Sequence, residues 1–383
     1  MRLLVLTFYY PPDLCAGSFR SGALVKSLEK IMGPEDTVDI VTTYPNRYKD
    51  FTPETRTKHG SDRINVYRVK LPTHSSGMFD QAVAYLWYVL FVLKTVAFRK
   101  YDRIFATSSR LFTGFLGALV STVKRRPLYL DLRDIFVENM DEMLQGRAVR
   151  SLLPFFRLAE RFTVRRATYL NCVSAGFEPY YQPMFSQKIH YHTNGIDPEF
   201  LEQRWTDTSD RKKMIVTYAG NIGEGQGLHV LFPDLAKVYP DIEFRIIGNG
   251  GKRKELETRV EDIANVRLYP PVSREELMRY YDESDALLMH LNSLKAFERV
   301  LPSKVFEYGA TGKTVLAGVS GYARRFVEKN LPDAICFEPC NVDELKEKFT
   351  GQKKELVDRS DFRKRFAREA IMDRLAADLL RMN

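Results

Sequence analysis

The chain reads as an α/β protein made of two doubly wound, Rossmann-like domains facing each other across a cleft. Three observations predict this. Its 383 residues exceed what one typical core organises, so two domains are expected. Hydrophobic residues at 44% and charged residues at 28% are ordinary globular values, which excludes a disordered chain. Short apolar runs of strand length recur, each followed by a glycine-bearing or small polar loop and then by helical spacing.

The first unit is clear at the N-terminus. Leu3 to Phe8 is an apolar strand, too short for a signal-peptide core, and Pro11-Pro12-Asp13 turns the chain. Ala16-Gly17-Ser18 then leads into helical spacing from Arg20 to Lys30. Gly17 would let the backbone approach a ligand, and Arg20 would sit near the helix start. The G-x-G-x-x-G fingerprint is absent, which argues against an NAD domain. Val38 to Thr42 and Asn65 to Leu71 are further strands, with a polar surface loop from Asn46 to Asp62 between them. Ala82 to Leu93 carries no charge and is followed by Lys94, Arg99 and Lys100. It is too short to span a bilayer and suits either a core helix or an interfacial one. Tyr101 to Ser109 is a strand ending in small polar residues, Phe112 to Val123 a helix, and Pro127 to Leu132 a strand. That strand runs into Asp131-Leu132-Arg133-Asp134, a group suited to holding either an acceptor or a structural salt bridge. Phe155 to Ala167 is an arginine-rich helix; Thr168 to Ser174 and Lys188 to Tyr191 are strands.

The second half starts near Arg211 with a strand from Met214 to Ala219. The loop Gly220-Asn221-Ile222-Gly223-Glu224-Gly225-Gln226-Gly227 follows and enters a helix, an arrangement that offers backbone N–H groups to an anion. Phe244 to Gly251 is a strand and glycine turn in which Gly248 would approach a base or phosphate. Lys252 to Glu261 is a charged helix, Val266 to Leu268 a strand, and Ser273 with Glu276 a capping box. Asp285 to His290 is another strand, with His290 read as a hydrogen-bonded structural histidine. The polar loop Glu298 to Lys304 then feeds a helix through Ala310, and Thr314 to Gly318 is the next strand. Pro302 suits the first helical turn; Ser303 and Lys304 would face an anion at the positive helix end, and Glu307, one turn on, a ribose diol. Ala334 to Phe337 is a last strand, and Ala367 to Leu380 has the apolar spacing of a packed helix.

The phrase PSKVFEYGATGKTVLA, residues 302–317, resembles the nucleotide-sugar motif of the retaining group 1 glycosyltransferases, which have the GT-B architecture. The resemblance implies a donor site in the C-terminal domain and an acceptor site in the N-terminal one. It places Glu307 on the donor ribose and Lys304 on the diphosphate. The other glutamate of the family motif falls at Arg299, beside Glu298, so the catalytic set it implies is Lys304, Glu307 and Arg299. Of the glycine loop it implies donor contacts from Asn221, Gly223, Gln226 and Gly227, with Asn221 and Gln226 standing where the family usually has arginine and lysine. Some bacterial surface-polysaccharide members carry the same GNIG and QGL phrases. Gly17 and Arg20 fall in the family's first glycine loop, against the donor phosphates, together with Gly248 and Ser303 in the donor set. Asp131, Arg133 and Asp134 fall on the acceptor side, and Asn194 to Asp197 matches the turn that closes the first domain. The domains implied are 1–197 and 211–366, with a C-terminal helix at about 367–383 returning to the first.

The formal net charge of +9 favours anionic partners. A UDP-activated sugar donor and a glycan or polyprenyl-diphosphate-linked acceptor are expected, with peripheral contact at the inner face of the plasma membrane; nucleic acid is not. No cofactor or metal is expected in the reaction. Cys15, Cys172, Cys336 and Cys340 form no zinc signature or disulfide framework, which points to a reducing cytoplasm. Two rival readings stay open: a non-catalytic scaffold of the same fold, motivated by Arg299, Asn221 and Gln226, and a sugar-nucleotide epimerase.

Overall fold

A computed structural model describes residues 1–13, 15–45, 62–72, 78–108, 111–143, 147–208, 210, 212–351 and 355–382. Most of the expected loop from Asn46 to Asp62 lies outside them, as do Ser109 and Arg211. The chain divides into two compact units, residues 1–194 with 368–383, and residues 195–367.

The first unit contains β1 (Arg2–Leu6), α1 (Ala16–Ile31), β2 (Thr37–Thr43), β3 (Ile64–Val69), α2 (Met78–Val96), β4 (Arg103–Thr107) and α3 (Leu111–Lys124). It continues with β5 (Leu128–Leu132), α4 (Phe136–Met143), α5 (Arg147–Arg166), β6 (Tyr169–Cys172), α6 (Glu178–Tyr181) and β7 (Ile189–His190). All seven strands are parallel, in the order β3-β2-β1-β4-β5-β6-β7. Helices cover both faces of such a sheet, so its strands are apolar without alternation. Leu3 to Leu6 in β1 and Ile104 to Ala106 in β4 are accordingly buried.

The second unit contains α7 (Pro198–Glu202), β8 (Ile215–Ala219), α8 (Leu228–Val238), β9 (Glu243–Ile247), α9 (Arg253–Val260), β10 (Val266–Tyr269), α10 (Arg274–Glu283) and β11 (Ala286–His290). Then come α11 (Lys304–Thr311), β12 (Thr314–Gly318), α12 (Gly321–Asn330), β13 (Ile335–Phe337), α13 (Val342–Lys348) and α14 (Ser360–Arg365). Its six parallel strands run β10-β9-β8-β11-β12-β13. The last helix, α15 (Arg368–Arg381), belongs to the first unit and packs along α1.

Among the described residues, two fully buried carboxylates, Asp39 in β2 and Asp131 in β5, break the apolar pattern of the first sheet. Asp131 lies inside β5, fully buried, where an isolated carboxylate would be expensive. Arg20 resolves this with a bidentate pair, Nε to Oδ2 at 2.9 Å and Nη2 to Oδ1 at 2.8 Å. Asn171 Nδ2 and Thr107 Oγ1 donate to the same carboxylate at 2.7 and 3.2 Å. Arg20 also donates to the carbonyls of Thr193 and His192, both at 2.7 Å. Burial works to raise the Asp131 carboxyl, but the Arg20 guanidinium and the other donors hold it below the usual carboxylate range.

This corrects three expectations. Arg20 and Asp131 form an internal brace, in which the buried guanidinium is committed to protein oxygens instead of phosphate and the carboxylate has no room for an acceptor. Gly17 lies within the first turn of α1 rather than in a loop, because the helix begins at Ala16.

Replacing Asp131 with alanine will leave Arg20 buried and unpaired, at a cost of about 3–5 kcal/mol read by urea unfolding. Because the folded carboxyl titrates below its unfolded value, the brace contributes fully above the ordinary Asp range and is lost as pH falls through the depressed value. The wild type will lose more stability on acidification than Asp131→Asn, and equal slopes would overturn the assignment.

Candidate functional site

In an open parallel sheet, ligands bind beyond the carboxyl ends of the strands where the strand order reverses. In the second unit that point lies between β8 and β11. The loop from Gly220 to Gly227 leaves β8 there, and the segment from Leu291 to Ser303 leaves β11.

The glycine loop is fixed from both sides. Gly220 has φ +139°, and a Cβ on it would sit 2.5 Å from Lys304 Nζ. Gly248, at the end of β9 with φ +144°, presses on it so closely that a Cβ would lie 1.8 Å from Gly220 O. Packing of one loop on the other thus accounts for a glycine at position 248. From the β11 side, His290 Nδ1 donates to Gln226 O at 2.6 Å, Asn292 N to Gly225 O at 2.9 Å, and Asn292 Nδ2 to Glu224 O at 3.0 Å. His290 Nε2 accepts from Cys340 N–H at 2.8 Å, which sets the tautomer, and burial lowers its pKa to about 4. His290 is a neutral structural brace, as expected.

Asn221 and Gln226 bind one another, Nδ2 to Oε1 at 2.7 Å, and Gly223 N donates to the same Gln226 oxygen at 3.3 Å. They close the loop instead of projecting as a pair of cations would. Gly227 starts α8 in the left-handed conformation.

Lys304 opens α11, with Ser303 as N-cap and Pro302 one residue before the cap, outside the helix. The Ser303 hydroxyl makes no capping hydrogen bond. Lys304 Nζ lies 4.9 Å over the Tyr218 ring, against Gly220. Among the described residues no carboxylate is within ion-pair distance of it. Burial lowers its pKa to about 8, with Glu307 opposing the shift. A partly buried ammonium without a counter-ion, at the positive end of a helix and beside a glycine loop, is arranged for an anion.

One turn on, Glu307 Oε1 accepts from Arg274 Nη1 at 3.0 Å, and Arg274 Nη2 donates to Asp197 Oδ2 at 2.6 Å. The Arg274 guanidinium also lies 4.5 Å from the centre of the Phe200 ring. Arg274 therefore aims Glu307 and leaves its Oε2 for a hydroxyl. Sequence reading missed this residue, whose only local signal was the helix cap at Ser273. Arg299 ends a 3-10 turn, Lys295–Arg299, whose Phe297 ring covers Gly225. The structure thereby brings Lys304, Glu307, Ser303, Arg299 and the glycine loop into one unit. On the first unit, Arg133 and Asp134 lie just past β5. Arg133 Nη1 is buried without a hydrogen bond, and burial raises Asp134 to about 6 despite the nearby Arg133 charge.

Comparison with known proteins agrees with this division. Residues 199–371 match the family model described as glycosyl transferases group 1, and residues 33–195 that of a glycosyl transferase 4-like domain. The chain is 30% identical over 159 residues to the putative colanic acid biosynthesis glycosyl transferase WcaI of Escherichia coli K12. That match covers 40% of this chain and 38% of the relative's length. Among solved structures, Anabaena HepE in complex with UDP and glucose superposes with a TM-score of 0.65 at 18% identity, covering 99% of each chain. The lipopolysaccharide outer core galactosyltransferase WaaB does so at 0.63 and 11% identity, again covering 99% of each. At these identities the structures establish the two-domain α/β fold.

An anion held by Lys304 requires the charged amine. Pyrophosphate binding to the full chain will therefore weaken as pH rises through about 8, the value to which burial lowers this lysine. Lys304→Met will bind more weakly and show a flat profile by calorimetry over the same range. A sloping profile in that variant would place the anion elsewhere.

Proposed function

We propose that this chain, whose residues 199–371 match the group 1 glycosyl transferase model and residues 33–195 a glycosyl transferase 4-like domain, moves a sugar from a nucleotide-diphosphate donor to a lipid-linked glycan in bacterial surface-polysaccharide synthesis. The observation that carries the donor half is the Lys304 ammonium, without a carboxylate partner among the described residues, at the head of α11 and against the Gly220 loop. The donor diphosphate would lie there, with the ribose hydroxyls on Glu307 Oε2 while Arg274 holds Oε1. UDP is the nucleotide bound by HepE, which shares the fold, and we carry it over as the donor nucleotide. Catalysis on this reading is positioning plus stabilisation of the departing diphosphate by Lys304 and the helix end, with Arg299 near the sugar. It needs no metal at the donor site. Transfer of a hexosyl or N-acetylhexosaminyl group with retention is the stereochemistry that the family resemblance implies.

The acceptor half is carried by the surface of α2, α3 and α5. These helices pack side by side through Tyr85–Phe112 and Phe112–Phe156 ring contacts at 5.6 and 5.7 Å. Helix α2 buries Ala84, Tyr88, Val92 and Val96, yet its other face is apolar too and exposes Leu86, Trp87, Leu90 and Leu93. The inward face accounts for the core reading of the uncharged run, and the exposed outward face is what supports the interfacial one. Phe98 and Val123 are also exposed, as are Leu152, Phe155 and Leu158 on α5. Lys124 donates to Ala97 O and Arg99 O, and Arg166 to Ser121 O, so the C-terminal ends of the three helices meet. Lys94, Lys100, Arg125, Arg126 and Arg165 rim that end. Arg99 is turned inward, over Tyr67 and towards Asp39. Among the described residues no helix is long and apolar enough to cross a membrane. An apolar face with a basic rim fits the surface of an anionic leaflet, where a polyprenyl-diphosphate acceptor would be met. We place the protein at the inner face of the plasma membrane on this basis.

Incubation with UDP-sugars and lipid-linked acceptors will yield an extended glycan; epimerised nucleotide alone, or unchanged donor, would favour the rival readings. Glu307→Ala will lower UDP affinity by roughly 1.5–3 kcal/mol, the scale of hydrogen bonds to a charged group, and unchanged calorimetric affinity would remove the ribose role. The wild type will co-sediment with anionic vesicles at low salt, each basic residue contributing about 1 kcal/mol. A variant with Phe98, Lys94, Lys100 and Arg125 changed to Glu will stay in the supernatant. Equal recovery of both proteins would make a soluble acceptor the better reading.

A further inference from the structure

Away from the residues assigned so far, the edge strand of the first unit meets its C-terminal helix in a cluster of metal-ligating groups. His190 and His192 are two apart on extended chain, so both imidazoles project to one side. From α15, Asp378 reaches between them: its Oδ2 lies 2.9 Å from His190 Nδ1 and 2.8 Å from His192 Nε2. The three ligand atoms fall within 4.8 Å of one another. Ligands around a tetrahedral zinc stand about 3.3 Å apart, given bond lengths of about 2.0–2.1 Å. Small side-chain rotations therefore open the cluster to accept an ion.

A second observation is independent of the first. The side chain of Tyr129, on β5, is wholly buried and its hydroxyl makes no hydrogen bond. Its ring centre lies 6.4 Å from that of His190. This buried hydroxyl, on a ring that neighbours His190, lacks a polar partner, and a metal-bound water would supply one. The nearby Arg20 charge is neutralised by Asp131 and does not bar a cation.

We propose that His190, His192 and Asp378 bind a divalent transition-metal ion of the zinc class, with a water in the fourth position directed at Tyr129. The two-nitrogen, one-oxygen ligand set suits zinc and excludes magnesium and calcium, which prefer oxygen. Each imidazole keeps its proton on the ring nitrogen away from the ion. The site is distant in kind from the sugar-transfer chemistry: it ties the C-terminal helix to the edge of the seven-stranded sheet, so its effect is on the fold.

The test uses full-length chain treated with chelator and then titrated with zinc chloride, followed by calorimetry and by the visible spectrum of the cobalt-substituted form. The wild type will take up one equivalent, show tetrahedral cobalt bands, and melt several degrees higher in excess zinc. Asp378→Asn keeps the hydrogen bonding and will weaken zinc binding at least about tenfold. The double variant His190→Ala/His192→Ala will lose the cobalt spectrum. No saturable uptake up to the order of 100 µM zinc would overturn the proposal, since ligand at that level stabilises only if Kd lies below it. Undiminished uptake in both variants would overturn it equally, by placing the ion on other residues such as the cysteines.

Discussion

The carboxyl edge of the second sheet depends on there being no side chain at Gly220. That backbone is pressed by Gly248 from one strand end and by the Lys304 side chain from the other direction, and any Cβ would collide with the lysine. The same positive φ that glycine tolerates turns the chain out of β8 into the loop. Lys304 is thereby held over Tyr218, without a carboxylate partner among the described residues, at the point of the second sheet where the strand order reverses. What the proposed donor site offers follows from this approach of loop, loop and helix head. Arg274 then adds direction by fixing one oxygen of Glu307.

Much of this was legible locally. The strand-loop-helix units around Gly220 and Ser303 announce themselves through apolar runs followed by glycine or a cap, and those signals act within a few residues. Contacts between distant residues were not legible. Asp131 and Arg20 are 111 positions apart, so nothing near either residue shows that they neutralise one another. Arg274 reaches Asp197 across 77 positions for the same reason. His190 and His192 are adjacent enough to read as a pair, but their carboxylate comes from the far end of the chain. Helices α4 and α12 were also missed: both are amphipathic at helical spacing, but each is short and lies between the strands and loops that drew the reading.

The two candidate surfaces obey opposite logics. At the proposed donor end polar groups brace one another and, among the described residues, the Lys304 ammonium has no carboxylate partner, which suits an anion. On α2, α3 and α5 the sequence places apolar residues on both the inward and the outward faces. Ordinary surface helices reserve the outward face for polar groups, so this second apolar face is the feature on which the proposed membrane contact rests.

A lysine whose pKa is lowered to about 8 has a chemistry of its own. Near neutral pH it holds roughly two orders of magnitude more free amine than a surface lysine with the ordinary value of about 10.4. The amine is a nucleophile, whereas the ammonium is not. Lys304 thus stands apart from the chain's many exposed lysines in reactivity towards acylating and aldehyde reagents. A bound diphosphate would restore its proton and quench that reactivity. The residue is a built-in covalent handle whose labelling rate reports whether its neighbour is there.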